Sequence, residues 1–529
     1  MIELTGRDLS LEDVAAVALA GADVSLGADA HARMAASRAV VEDLVESDQI
    51  VYGVTTGFGD LASQRIAPDD VRRLQENLLL SHSVGVGPAH GRDDVRAMLV
   101  LRANALANGF SGCRPLVAER LLDFLRLGIH PFVPVQGSVG ASGDLAPLAH
   151  LALPLIGRGR AEVDGQELDG AEALRRRGLE PLVLEAKEGL ALLNGTQQMT
   201  AIGVLVLLRA ERLLRTASVA AAMSVEALQG TDVAFAAAYH GARPHPGQAL
   251  VAAQMRHLLR GSELIRAHHG QPHKVQDPYS IRCVPQVHGA VADSLVHVRR
   301  VLEIEVNSAT DNPLVFANGA DVDPAAVATG GGRVVSGGNF HGEPVAIALD
   351  LMKIALAELG SISERRLAQL TDPRLSGLPP FLTEAPGLNS GMMLYQYVAA
   401  ALVSENKVLA HPASVDSVPT SANQEDHVSM GPIAARHAKD VLVNVEQVVA
   451  LELLVAAQGL DFRSTTGLRA GAGVESARAT IRERVDHLDA DRDPQPDIAA
   501  ALAIVHGGHL AELVQGTNQL TDIRGGSSS

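Results

Sequence analysis

The chain has 529 residues, 47% of them hydrophobic, a formal charge of −17, and only 3% aromatic residues with no tryptophan. That length supports a large core in two or three domains, and the Ala-, Leu- and Val-rich composition favours packed helices over a β-sandwich. An acidic balance without a basic stripe argues against nucleic acid or an anionic membrane as partner, and two cysteines, Cys113 and Cys283, are too few for a disulfide framework.

In chain order, the first stretch, MIELTGRDLS, carries early acids rather than a basic and apolar pattern, so no secretory signal is expected. Helical periodicity covers Glu12–Ala20 and Ala30–Glu46. A turn-rich segment follows, Tyr52-Gly53-Val54-Thr55-Thr56-Gly57-Phe58-Gly59, whose glycines suit tight backbone geometry. Helices are predicted over Pro68–Ser83 and Asp93–Ala107, then a second glycine loop over Gln136–Asp144. Thr196–Gln229 reads as one long helix stopped by Gly230. Pro344 opens another, in which Leu349, Met352, Leu356 and Leu359 mark one buried face. Pro432 and Gly459 bracket a third, Ile433–Gln458, in the order expected of a helix start and stop.

Loop-rich sequence gives way to long helices near Leu193. The expected organisation is therefore a first part, 1–193, a long-helix part, 194–523, and a disordered tail, 524–529. Apolar runs are interrupted by charge, as at Arg209, Glu211 and Arg212, so no membrane span is expected. The expected setting is the cytoplasm, where the glycosylation sequon Asn194-Gly195-Thr196 is idle. There is no H-E-x-x-H or comparable ligand spacing, so no metal is expected, and His273, His341 and His427 read as structural.

The most informative stretch is Gly137-Ser138-Val139-Gly140-Ala141-Ser142-Gly143-Asp144. It lacks the G-K-[ST] ending of a phosphate loop, and its glycines are spaced G-x-x-G-x-x-G. As a plain helix-entry turn it would place Asp144 at an N-cap. The triplet Ala141-Ser142-Gly143 also permits a covalent reading. If the Gly143 nitrogen attacks the Ala141 carbonyl, loss of water closes a five-membered ring, and loss of the Ser142 hydroxyl as a second water leaves an exocyclic methylene. Such an electrophile converts an α-amine into a better leaving group while a base takes the β-proton.

This A-S-G-D segment resembles the signature of the methylidene-imidazolone family of amino-acid ammonia-lyases, and matching motifs run from Tyr52 to Met430. The resemblance implies a mainly α fold with a long-helix central bundle of the fumarase/aspartase-like kind and the methylidene-imidazolone carried on the loop-rich N-terminal part. It also implies a homotetramer with shared active sites and a small-molecule amino-acid substrate. It makes Asp144 and Phe340 supports for ring formation. Tyr52 or Glu425 becomes the acceptor of the β-proton, and Tyr279 a second essential tyrosine. Asn194, Gln276 and Arg282 become substrate-binding groups, with the Arg282 fork matched to a carboxylate.

Ser81-His82 occupies the position where phenylalanine-specific members show Phe-Leu and tyrosine-specific members His-Leu, and resembles the histidine-specific branch. Glu425 points the same way, because an imidazole left unpaired would cost roughly 1–3 kcal/mol per nitrogen. The expected reaction is deamination of L-histidine to urocanate and ammonia. A phenylalanine or tyrosine lyase, or a 2,3-aminomutase, is the alternative that Thr55 favours and Pro278 disfavours. The other class is a non-catalytic helical scaffold, which the joint presence of Ser142, Tyr52, Tyr279 and Arg282 argues against.

Overall fold

Helix ends at the start of the chain follow local chemistry. The Ser10 hydroxyl accepts from the Asp13 N–H at 3.0 Å while the Asp13 carboxylate accepts from the Ser10 N–H at 3.2 Å. This capping box begins the helix Leu11–Ala20, which Gly21 ends in the left-handed region at φ +67°. The computed structural model describes residues 1–47, 51, 53–54, 56, 66, 70–268, 275–317, 327–329 and 332–514. Tyr52, Thr55, His273, the start of the helix predicted from Pro68 and the tail 524–529 lie outside the described residues.

The chain is mainly helical and divides into two units. Unit one comprises Met1–Leu205, Arg299–Asp350 and Pro412–Arg436. At its core the helix Arg92–Ala107 is buried at every residue from Ala97 onward, against the helices Leu11–Ala20 and Pro115–Leu127. Among the described residues four small sheets complete it. Ile2–Leu4 pairs in parallel with Val24–Leu26, and Val86–Ala89 pairs antiparallel with Pro134–Gln136. Arg160–Val163 lies between His130–Pro131 and Gln166–Asp169, and Gly332–Val335 between Leu314–Phe316 and Val327–Thr329.

Unit two comprises Val206–Val298, Leu351–His411 and His437–Ser529. It holds the helix Met393–Leu409 and parts of four longer ones, Gln197–Ala227, Val284–Glu305, Glu343–Thr371 and Gly431–Ser464. Among these helices the Arg366 guanidinium donates to both Glu452 oxygens at 2.6 and 2.8 Å, and the Ser224 and Ser363 hydroxyls donate to the same carboxylate. Both charged side chains are fully buried. Paired in this way, the charges avoid the several kcal/mol, of order 3–5, that a lone buried ion would cost.

Sequence reading missed the helix Val284–Glu305. The three long helices expected from the sequence are present, with one difference. The last runs to Ser464, past Gly459. A Cβ there would stand 3.2 Å from both Ala227 and Leu378, so Gly459 is a close-packing position inside the helix rather than a stop. Tertiary contact overrides its helix cost of about 1 kcal/mol. No helix among the described residues is long and apolar enough to cross a membrane.

Candidate active site

The loop before the helix Leu145–Ala152 is folded back on itself by left-handed glycines, Gly140 at φ +69° and Gly143 at φ +71°. At Gly143 an added Cβ would lie 2.1 Å from the Gly195 carbonyl oxygen, and at Gly140 it would lie 2.2 Å from the Ser429 hydroxyl. No side chain fits at either position, so the backbone of the triplet is pressed directly against its neighbours. Gly143 bridges to Gly195, and the Asp144 N–H donates to the Gly195 carbonyl at 2.6 Å. On the other side the Ser429 hydroxyl donates to the Gly140 carbonyl at 3.0 Å, and the Met430 N–H to that of Val139 at 2.8 Å. Ala141 is buried with Val428 and Met430. The Ser142 hydroxyl donates to the Asn194 side-chain oxygen at 3.0 Å. A serine held between two small residues, with glycine backbone packed tightly against its surroundings, fits backbone ring closure.

Asp144 stands at the N-cap position of the helix Leu145–Ala152, as the helix-entry reading expects, but its side chain makes no capping bond there. Its Oδ2 instead accepts from the N–H groups of Gln198 and Met199 at 2.8 and 3.1 Å, the first turn of the helix Gln197–Ala227. Its Oδ1 is buried without a partner. Burial pushes this carboxyl up to about 7; the two N–H groups oppose the rise, and the charge on Glu305 adds to it.

The folded chain therefore keeps a proton on Asp144 in the weakly acidic range, where the unfolded chain has lost it. That contribution to stability is complete at acid pH and is lost as pH rises through about 7. Asp144→Asn removes it. In a Ser142→Ala background, where both chains keep an open peptide, the melting midpoint of Asp144→Asn relative to its parent is expected to be higher at pH 8.5 than at pH 5.5. A pH-independent difference would contradict the buried-carboxyl assignment.

Ala141 and Ser142 open onto a cavity of about 520 Å³, shared with Asn312, Phe340, Glu425 and His427. Glu425 is held by the Thr420 hydroxyl, across a turn whose residues Ser421, Ala422 and Asn423 are all left-handed. His82 ends the helix Val71–His82, with Nδ1 2.9 Å from the Leu78 carbonyl and 3.0 Å from the Ser81 hydroxyl. A carbonyl only accepts, so Nδ1 carries the hydrogen and Nε2 is left as an acceptor. Burial lowers the His82 pKa, opposed by the Leu78 carbonyl and the Glu425 charge. Among the described residues His341, Glu343 and His427 bring donor atoms within 4.8 Å of one another. The His341 ring is hydrogen-bonded on both sides, with Nδ1 accepting from the Glu343 N–H at 3.3 Å and Nε2 donating to the His427 carbonyl at 3.2 Å.

Unit one thus gathers Ala141, Ser142, Gly143, Asp144, Asn194, Phe340 and Glu425, with His82 feeling the Glu425 charge and Ser81 hydrogen-bonded to His82. Three further predicted residues belong to unit two. Gln276 and Tyr279 are exposed, and the Arg282 guanidinium lies 4.8 Å from the Tyr279 ring centre. Tyr52 lies outside the described residues. Sequence reading missed Asn312, which lines the cavity, and the buried charges Arg102, Lys187 and Asp311 behind Asn194. Lys187 gave a signal, a lone ammonium beside the apolar run Gly189–Leu193, where a charge needs a buried partner.

The sequence matches the family described as aromatic amino acid lyase over residues 9–483. A histidine ammonia-lyase of Gloeobacter violaceus is 53% identical over 513 residues, 97% of each chain. One from Anaeromyxobacter sp. (strain K) is 53% identical over 515 residues, 96% of this chain and 99% of its own. Among solved structures, histidine ammonia-lyase from Trypanosoma cruzi matches with a TM-score of 0.89 at 42% identity, over 98% of this chain and 96% of that one. Tyrosine aminomutase from Streptomyces globisporus matches with a TM-score of 0.89 at 39% identity, over 98% and 99%. A glycine-cradled Ala-Ser-Gly triplet, a mainly helical fold and similarity along nearly the whole length agree, and the chain belongs to the aromatic amino acid lyase family, as a carbon–nitrogen lyase.

Proposed function

We propose that this enzyme deaminates L-histidine without oxidation, giving trans-urocanate and ammonia, the first step of histidine degradation. It does so with a methylidene-imidazolone made from its own Ala141, Ser142 and Gly143. The observation that carries the substrate assignment is the 53% identity to histidine ammonia-lyases over 97% of both chains. Glu425 on the wall of the Ser142 cavity supports it, because a carboxylate accepts from an imidazole N–H. Once formed, the prosthetic group supplies an electrophilic methylene to the substrate amine. No metal is required in this reading.

The chain's own residues supply the rest. Asn194 lies beside Ser142, where it meets both the prosthetic group and the amine. Phe340 packs the cavity, and Ser81, His82 and Glu425 recognise the ring. Gln276, Tyr279 and Arg282 complete the site, with Arg282 clamping the carboxylate. Exposure of Gln276 and Tyr279 on unit two suits their being lent to a neighbouring subunit in a cytoplasmic homotetramer. The β-proton goes to Tyr52 or Glu425.

Glu425→Gln is expected to lower kcat/KM for L-histidine about 10- to 100-fold, the size of a lost charge-assisted hydrogen bond. A loss carried by KM marks ring recognition; a loss carried by kcat makes Glu425 the proton acceptor. An unchanged kcat/KM would remove Glu425 from both roles. The second reading, a phenylalanine or tyrosine lyase or a 2,3-aminomutase, is favoured by the likeness to a tyrosine aminomutase. Incubation with L-histidine, L-phenylalanine and L-tyrosine separates the two. Ultraviolet absorbance of a conjugated acid is expected from L-histidine; its absence there, with a conjugated acid or a β-amino acid formed from L-phenylalanine or L-tyrosine, would overturn the assignment.

A further inference from the structure

Lys187 stands just ahead of the helix Glu188–Leu193 with left-handed backbone, φ +69°, and a fully buried side chain. Its ammonium is 2.7 Å from Asp311 Oδ2, and the Asp311 side chain is 1% exposed. The other Asp311 oxygen accepts from the Asn194 side-chain nitrogen at 3.3 Å and from the Asn312 N–H at 2.6 Å. The same Asn194 nitrogen donates to the Asn312 carbonyl at 3.0 Å. Carboxylate and carbonyl only accept, so both hydrogens of the Asn194 amide are committed on that side and its oxygen must face the other way. There it receives the Ser142 hydroxyl. Arg102 fixes the same residue from behind, donating to the Asn194 backbone carbonyl at 2.9 Å and to the Gln197 side-chain oxygen at 2.7 Å.

We infer that Lys187 and Asp311 are a positioning pair for maturation of the enzyme: by fixing which face of the Asn194 amide meets Ser142, they hold the serine in place for ring closure. The inference rests on the function proposed above. In the step concerned, a bond forms between the Gly143 nitrogen and the Ala141 carbonyl carbon, whose oxygen departs as water with the hydrogens of the Gly143 and Ser142 N–H groups, leaving a ring C=N bond. The Ser142 hydroxyl then leaves with its α-hydrogen as a second water. A serine hydroxyl with no fixed acceptor turns to nearby backbone carbonyls instead. The Asn194 oxygen denies it that choice; without Asp311 only the Asn312 carbonyl holds the amide nitrogen on the far side, so the amide turns over more readily and presents its nitrogen to Ser142. Lys187 anchors the carboxylate without touching the triplet itself.

Deleting one charge would strand the other in the core, so the test uses double variants that remove both. Lys187→Met with Asp311→Asn keeps an acceptor facing Asn194; Lys187→Met with Asp311→Leu does not. Each full-length chain is made by cell-free translation and sampled over time for intact mass, with circular dichroism and melting to confirm folding. The parent is expected to become two waters lighter. The Leu-bearing variant is expected to do so at least tenfold more slowly, and the Asn-bearing variant at a rate between the two.

That ranking separates positioning from bulk packing, because both variants lose the same ion pair. Folded variants that mature as fast as the parent, or equally slowly as each other, would overturn the proposal. So would failure of both to fold, which would make the pair purely structural. A parent that never loses two waters would instead refute the proposed function.

Discussion

Ser142→Ala is expected to keep the full encoded mass and to lose activity on L-histidine by about a thousandfold or more. The loss is chemical, because no hydroxyl remains to leave and no methylene forms, while an α-amine with an unactivated β-hydrogen departs very slowly unaided. The fold should survive. Ser142 is half-buried and makes one hydrogen bond with its side chain, to Asn194, worth about 1 kcal/mol. Intact mass and steady-state kinetics on the same preparation check both halves. Substantial activity in Ser142→Ala would place the chemistry elsewhere.

Gly143→Ala is expected to be nearly as damaging for a different reason. The added methyl would meet the oxygen, carbon and Cα of Gly195 at 2.1, 2.4 and 2.8 Å, all backbone, and the 2.6 Å bond from Asp144 to Gly195 ties those segments together. The residue also sits at φ +71°, where a non-glycine residue costs of order 1–3 kcal/mol before any clash. Gly165→Ala is the control. It shares a left-handed φ of +79°, in the turn between the strands Arg160–Val163 and Gln166–Asp169, with nothing within 4 Å of its Cβ. The control should melt slightly lower than the parent and mature fully. Gly143→Ala should lose more stability and show no two-water deficit. Equal behaviour of the two variants would mean that the cradle around Gly143 is not needed.

What the sequence disclosed follows from how far apart the interacting residues are. The long helices were legible because their signals are local: a run of helix formers, a Pro and Gly bracket, and the spacing of Leu349, Met352, Leu356 and Leu359. The triplet and its flanking glycines stood out because their spacing fits no ordinary phosphate loop. Contacts between distant segments stayed hidden. Asp144 reads locally as the cap of the helix beginning at Leu145, yet it holds N–H groups 54 and 55 residues on. Lys187 and Asp311 are 124 residues apart, and only the folded chain makes them one group. Gly459 carries the same lesson, since its stop signal is overruled by Ala227 and Leu378 packed against it. Phe340 and Glu425 were legible only through resemblance, for a lone phenylalanine or glutamate says nothing of the cavity it will line.

The central claim is that a plain peptide becomes the reactive group. Intact-protein mass spectrometry of the freshly purified native chain, with peptide mapping across Gly137–Asp144, tests it most directly. The chain should weigh two waters less than its encoded sequence, with the whole deficit confined to Ala141-Ser142-Gly143. A full-mass, unmodified triplet in a preparation that converts L-histidine at its normal rate would contradict it.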